Sequence, residues 1–554
     1  MTDTPTSDIT VYTARRIHTM SRSAPEATAV AVRDGRILEV GSLETLRPWL
    51  ERYPHKIDAR FADKVILPGF IDPHLHPSLA AVLLPSEFIT AFEWDLPGRV
   101  VEPCKTPEAY LDRLSSAVAE HDPDAPFFVT WGYHQLWHGA VTRAQLNAIS
   151  DSLPIIVWHR SFHELILNDA AIAWLEVDSE VMARHPQINA DTGRFSEMGA
   201  MVALGKLRPH LMQPNWFFKG LQMLAEILHQ NGHTMIADMA WGIFDPELEW
   251  GAYTALWDSG AMPMRCMLIP RGLQEAELTG DPEEAMAKIE ALCARETDDL
   301  FTDRHVKFFT DGAFFSELMQ VQAPGFLDGH HGEWLTAPEQ FRAAVRPYWL
   351  AGWRIHVHCT GDLGLELAID VLAELQEEKP RFDHGYTIEH FGLSTEEQVE
   401  RLAALGGQVS ANVYYLHELS RAYAEQSLGY ERASQMARLG SLVRAGVPFA
   451  LHSDYTMAPA SPLNSAWVAV NRVEEDGAVM CAAEKVSVMD ALRGITIEAA
   501  RMLGQQHEVG SIRAGKRADF TVLDADPFEV DPMRLRDIRV HATVFGGACH
   551  EVAG

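Results

Sequence analysis

The chain has 554 residues, 47% of them hydrophobic and 22% charged, with a formal net charge of −31. That length exceeds one simple domain and is ample for a large core. The acidic balance argues against nucleic acid and against anionic membranes as partners, and its simplest cause is a solvated acidic surface.

The opening Met1-Thr2-Asp3-Thr4-Pro5 is polar and acidic. It lacks the basic-then-apolar layout of a secretory signal, and no later run is apolar enough to span a bilayer. A cytoplasmic location is therefore expected. Ile9-Thr10-Val11-Tyr12 reads as a strand. Ala27–Val32 and Arg36–Val40 flank Asp34-Gly35, a hairpin signal. Near the other end, Ala518–Leu523, Val540–Val544 and Cys549–Val552 read the same way, the last two flanking Gly546-Gly547. Two β-rich ends around a longer centre predict one small β-sandwich built from both termini, with the centre inserted into it.

That centre alternates strands with helices. The predicted strands begin with the run Val65 to Leu75. They continue at Phe127–Thr130, Ile155–Trp158, Thr234–Ala237, Met264–Leu268, Val306–Phe309, Arg354–His358, Tyr386–His390, Gln408–Ala411 and Pro448–His452. Amphipathic helices are predicted over Leu365–Leu375 and Thr395–Leu405. The rhythm implies parallel strands with crossover helices, and a TIM-like (β/α)₈ barrel fits the length. The expected layout is α/β: 1–67 and 505–554 for the sandwich, 68–504 for the barrel, with about 92–151 as an insertion. Six scattered cysteines, Cys104, Cys266, Cys293, Cys359, Cys481 and Cys549, form no CxxC pair. Thiolate metal sites and a disulfide framework are therefore not expected.

The most informative stretch is Phe70-Ile71-Asp72-Pro73-His74-Leu75-His76. Residues i and i+2 of a strand share a face, so two imidazoles here can reach one cation. They fall at the end of an apolar run, where α/β barrels place their chemistry. Lys307, His358, His390 and Asp454 lie in or just after other apolar stretches. If those strands are neighbours, all six side chains converge at one mouth. His356 shares a face with His358 and competes with it, and His452 shares one with Asp454, as a supporting or a structural residue.

In these residues the chain resembles the metal-dependent amidohydrolase superfamily, amidohydrolase family 3. The branch it is most similar to is that of the YtcJ-like hydrolases, which includes N-substituted formamide deformylases. The resemblance rests on Pro68–His76, on His358-Cys359-Thr360-Gly361-Asp362, on Ser453-Asp454, on Ile495–Ala500 and on Gly510–Asp519. It covers nearly the whole chain. It implies that His74 and His76 bind the more buried metal and that Lys307, carboxylated at its ε-nitrogen, bridges two metals. A protonated lysine has no lone pair, whereas its carbamate offers two oxygens. His358 and His390 would bind the second metal. Asp454 would bind the first and take a proton from water. One or two divalent ions are implied, zinc first, with manganese, iron or nickel open. Such an ion lowers the pKa of water from about 15.7 towards about 7.

Arg160-Ser161-Phe162-His163 resembles the family's Arg-x-x-His segment after a further barrel strand, with Asn168 beyond it. His163 is the candidate oxyanion partner. Asp311-Gly312 matches the family, but Ala313–Met319 departs from its usual small and polar continuation. Aromatic groups, among them Phe314, Phe315, Tyr414 and Tyr415, are core residues or the wall of an apolar pocket. The expected activity is hydrolysis of a non-peptide C–N bond in a small apolar or aromatic compound: an amide, formamide, N-acyl or cyclic amide. The same fold could serve an esterase, lactonase or decarboxylase, or a non-catalytic scaffold. The expected partner is a small-molecule substrate, with homo-oligomer formation left open.

Overall fold

The computed structural model describes residues 8–292 and 295–552. Met1–Pro5 and Cys293, read above, lie outside the described residues. The fold is mixed α/β and divides into two compact units. One runs to His76 and resumes at Leu228, and the other is Pro77–Ile227.

In the first unit, strands from both ends of the chain pair into one seven-stranded sheet. Its order is Ala548–Glu551, Val540–Phe545, Phe520–Leu523, His55–Pro68, Ile9–His18, Glu26–Arg33 and Arg36–Gly41. The hairpin between the last two turns on Asp34 (φ 53°) and Gly35 (φ 72°), successive left-handed residues suited to a tight antiparallel return. Ile9–His18 lies parallel to His55–Pro68, whose far end meets Phe520–Leu523 antiparallel. Tyr12, Val30, Phe61, Ile66, Phe520 and Val544 bury one face together.

The apolar run 65–75, predicted as one strand, is two. Val65–Pro68 belongs to the end sheet, and the parallel strand β1 (Phe70–Leu75) begins after Gly69. A Cβ on Gly69 would lie 1.9 Å from Thr234 Oγ1, so the chain passes where only hydrogen fits. Gly69→Ala is expected to lower the thermal unfolding temperature, by about 1–3 kcal/mol of overpacking. An unchanged melting curve would show that Thr234 simply turns aside.

Beyond β1 come β2 (His233–Trp241), β3 (Arg265–Pro270), β4 (Leu300–Thr302), β5 (His305–Phe309), β6 (Arg354–Cys359), β7 (Thr387–His390), β8 (Gln408–Ala411) and β9 (Phe449–Leu451). They form a four-stranded sheet, β4-β3-β2-β1, and a five-stranded sheet, β5-β6-β7-β8-β9, parallel throughout. An isolated parallel bridge joins Arg271 to Lys307. After β9, Asp454 N donates to His74 O (3.0 Å), and His76 N donates to Tyr455 O (3.1 Å). Ile71, Met235, Met267 and Ala450, from β1, β2, β3 and β9, share one core with Ala499 and Met502. Helices Asp362–Glu378 and Glu396–Leu405 follow β6 and β7, the second started by a Thr395/Gln398 capping box.

The second unit has its own six-stranded sheet: Ile188–Asn189, Arg194–Ser196, Glu164–Leu167, Ile155–His159, Phe128–Tyr133 and Glu87–Phe88. Of the central strands read from the sequence, Phe127–Thr130, inside the expected 92–151 insertion, and Ile155–Trp158, outside it, both fall in this sheet. An apolar run does not reveal its pairing partner, and Ile155–His159 pairs antiparallel with Glu164–Leu167 here. The second unit, Pro77–Ile227, contains the whole of 92–151. No helix among the described residues is long and apolar enough to cross a membrane. The five described cysteines are free thiols.

Candidate metal centre

The six residues singled out in the sequence, His74, His76, Lys307, His358, His390 and Asp454, all lie in the first unit. His74 is in β1 and His76 just beyond it; Lys307 is in β5, His358 in β6 and His390 ends β7. Asp454 follows β9. Its Oδ1 is 3.1 Å from His76 Nε2 and 3.5 Å from His74 Nε2, and its Oδ2 is 3.6 Å from His390 Nδ1. The rings of His74 and His390 are 4.7 Å apart, and those of His390 and His358 are 4.4 Å apart. Lys307 is buried, with Glu389 and Asp454 as the charges that attract its ammonium form.

The backbone is bent to aim these groups. His390 (φ 73°), Phe391 (51°) and Asp454 (53°) occupy the left-handed region, which costs a non-glycine residue about 1–3 kcal/mol. Asp72 clamps two of the contributing segments. Its Oδ1 accepts from His74 N (3.1 Å), and its Oδ2 accepts from Ser453 N (3.1 Å) and Ser453 Oγ (2.5 Å). Burial pushes the Asp72 carboxyl up to about 7.

A carboxylate absent from the predicted set organises the imidazoles. Glu389 Oε2 is 2.7 Å from His74 Nδ1, and Glu389 Oε1 is 2.6 Å from His356 Nδ1. His356 Nε2 in turn meets His305 Nδ1 at 2.9 Å. With Glu389 ionised, both Nδ1 atoms it touches must carry protons, which leaves the His74 Nε2 lone pair facing Asp454. Burial raises Glu389 to about 7 while Lys307 pulls it down. Burial holds His74, His390, His356 and His305 well below the usual imidazole range, so these rings are neutral. The sequence signal for Glu389 was available: an acidic residue inside an apolar strand needs a partner. His356, considered as a rival ligand to His358, is instead held by Glu389.

The donor set fits a divalent cation. His74 Nε2, His390 Nδ1 and Lys307 Nζ are buried without hydrogen-bond partners. An orphaned buried polar atom costs about 1–3 kcal/mol unless something compensates. The neutral rings of His74 and His390 bring unbonded nitrogens to the Asp454 carboxylate. His74, His76 and Asp454 have donor atoms within 4.8 Å of one another, and so do His74, His390 and His452. Lys307, lowered by burial to about 8, loses its proton more readily than an exposed lysine.

Two other signature residues, Asp311 and Asp362, hold the surrounding loops. Asp311 accepts from the backbone of Gln320, Thr360 and Gly361, and Asp362 accepts from Gln322 N and pairs with Arg432 (3.0 Å). His163 belongs to the second unit. It follows a strand of the six-stranded sheet rather than a barrel strand, and its Nδ1 lies 2.7 Å from Glu197 Oε2. Asn168 caps helix Asp169–Trp174 and also holds Ser150, Leu153 and Ile155.

The amidohydrolase family model matches residues 57–550. The N-substituted formamide deformylase of Arthrobacter pascens is 24% identical over 546 residues, 94% of each chain. The putative amidohydrolase YtcJ of Bacillus subtilis (strain 168) is 23% identical, over 96% of this chain and 97% of its own. Among solved structures, an uncharacterized metal-dependent hydrolase from Pyrococcus horikoshii superposes with a TM-score of 0.72 at 19% identity. That match covers 95% of this chain and 99% of the other.

Proposed function

We propose that this chain, which belongs to the amidohydrolase family, hydrolyses a non-peptide C–N bond of a small compound with an apolar or aromatic part. The bond is that of an amide, formamide, N-acyl or cyclic amide group. The single observation that carries this is the meeting of His74, His76 and His390 around the Asp454 carboxylate. The scaffold is read as a (β/α)₈ barrel of β1, β2, β3, β5, β6, β7, β8 and β9. The bonds between β1 and the residues after β9, and the Arg271–Lys307 bridge, support that reading.

His74, His76 and Asp454 would hold one cation, and His358 and His390 a second, with Lys307 between them. Zinc suits these donors. A bound cation supplies an electrophile for the carbonyl and acidifies water. Asp454 takes the proton of the attacking water on a carboxylate oxygen and delivers it to the departing nitrogen, one group serving two steps. Glu389 keeps the His74 proton on Nδ1 throughout. Lys307 acts as a carbamate: its neutral Nζ bonds to the carbon of CO₂ and one proton leaves to solvent. Phe314 stacks on Tyr415 (4.3 Å), Phe315 meets the same ring edge-on (5.4 Å), and Asp454 acts electrostatically on the Tyr415 phenol. These rings supply an apolar wall for the substrate.

The test is turnover by zinc-loaded protein on matched panels of formamides and N-acyl amines, esters and lactones, and aromatic acids. Amine release at the highest kcat/KM is expected; turnover of esters alone, or CO₂ release alone, would overturn the reading. Lys307→Met is expected to hold fewer cations per chain than the parent in bicarbonate-containing buffer, by elemental analysis. Equal stoichiometry would remove the carbamate from the scheme.

A further inference from the structure

We infer that His452 is a further ligand of the metal centre, presenting a ring nitrogen to a cation that His74 and His390 also face. This rests on the metal-centre reading above and adds a donor outside the six residues on which that reading was built. His452 lies one residue past β9 and two before Asp454. It is 1% exposed. Neither ring nitrogen makes a hydrogen bond of good geometry; the His74 backbone draws the ring's proton only weakly, and the other nitrogen's lone pair is unmet.

Its surroundings explain what the nitrogens are for. The His452 ring lies parallel to that of His74, with centroids 4.5 Å apart and planes 12° apart, and 5.2 Å from the ring of His390. Donor atoms of His74, His390 and His452 fall within 4.8 Å of one another. His74 Nε2 and His390 Nδ1 are likewise orphaned. Three buried rings each bring an unbonded nitrogen to one place. A divalent cation with imidazole affinity satisfies all three at once. His74 then belongs to two donor groups, one with His76 and Asp454 and one with His390 and His452.

Crystals of the full chain loaded with zinc, with data at the zinc edge, provide the test. An anomalous peak about 2.0–2.2 Å from a His452 ring nitrogen is expected. A peak held by His74 or His390 and beyond bonding distance of both His452 nitrogens would overturn the inference and leave the metal centre intact. A parent chain with no zinc peak would overturn both. In solution, His452→Phe fills the ring's place without nitrogen. Its zinc affinity, measured by chelator competition, is expected to fall at least about tenfold. Its melting temperature in chelator is expected to match the parent's. An affinity equal to the parent's would count against His452.

Discussion

Asp454→Asn is expected to lower kcat on the best C–N substrate by about 10³-fold, within the range typical of a lost general acid–base group. Asn keeps the size and one carbonyl oxygen but removes the charge that faces three imidazoles. It also turns an NH₂ donor towards ring nitrogens that have lone pairs to offer a cation, and it cannot carry a proton from water to the leaving nitrogen. The backbone argues that the fold survives. Asp454 sits at φ 53°, a conformation Asn tolerates well. Its N–H bond to His74 O (3.0 Å) is unaffected by the change. Melting of the chelated variant should therefore match that of the parent. A kcat within tenfold of the parent's would remove Asp454 from the proton path.

Much of this side-chain cluster is legible in the sequence because its members come in short local patterns. His74 and His76 need only strand geometry to share a face, and His358, His390 and Asp454 each end an apolar stretch. What could not be read is the bend that aims them. His and Asp visit the left-handed region more often than most residues, but that preference does not mark these two positions for it. Glu389, His356 and His305 show another limit: each is a polar residue in a buried strand, but who bonds whom depends on strand order. The fold was legible to a similar depth. Strands β5 to β9 fall where the apolar runs predict, since parallel strands buried on both faces read as continuous hydrophobic segments. The same signal does not say which sheet receives Ile155–His159, because composition is identical whichever sheet it joins. Residues 55–64 escaped notice because exposed polar residues dominate there, although the backbone pairs with Ile9–His18.

Glu389 offers the second large effect, and two substitutions separate its charge from its hydrogen bonding. Its carboxylate accepts from His74 Nδ1 and His356 Nδ1 together. In Glu389→Leu both protons lose their acceptor, the His74 ring is released, and its tautomer is no longer fixed. Zinc affinity is expected to fall about 100-fold, the upper end of what a lost supporting carboxylate costs. Glu389→Gln should be milder, about tenfold. The amide oxygen can still accept from His74 Nδ1, while its NH₂ donates to His356 Nδ1. That reversal moves the His356 proton to Nε2, where His305 Nδ1 can accept it at the existing 2.9 Å contact. The pair of His imidazoles thus absorbs the change that His74 cannot. Chelator competition with zinc measures both variants, and melting in chelator checks that the strand is intact. The order parent, Gln, Leu in decreasing affinity is what the hydrogen-bond chain requires. Equal affinities in all three would mean that Glu389 neither orients His74 nor supports the cation it faces.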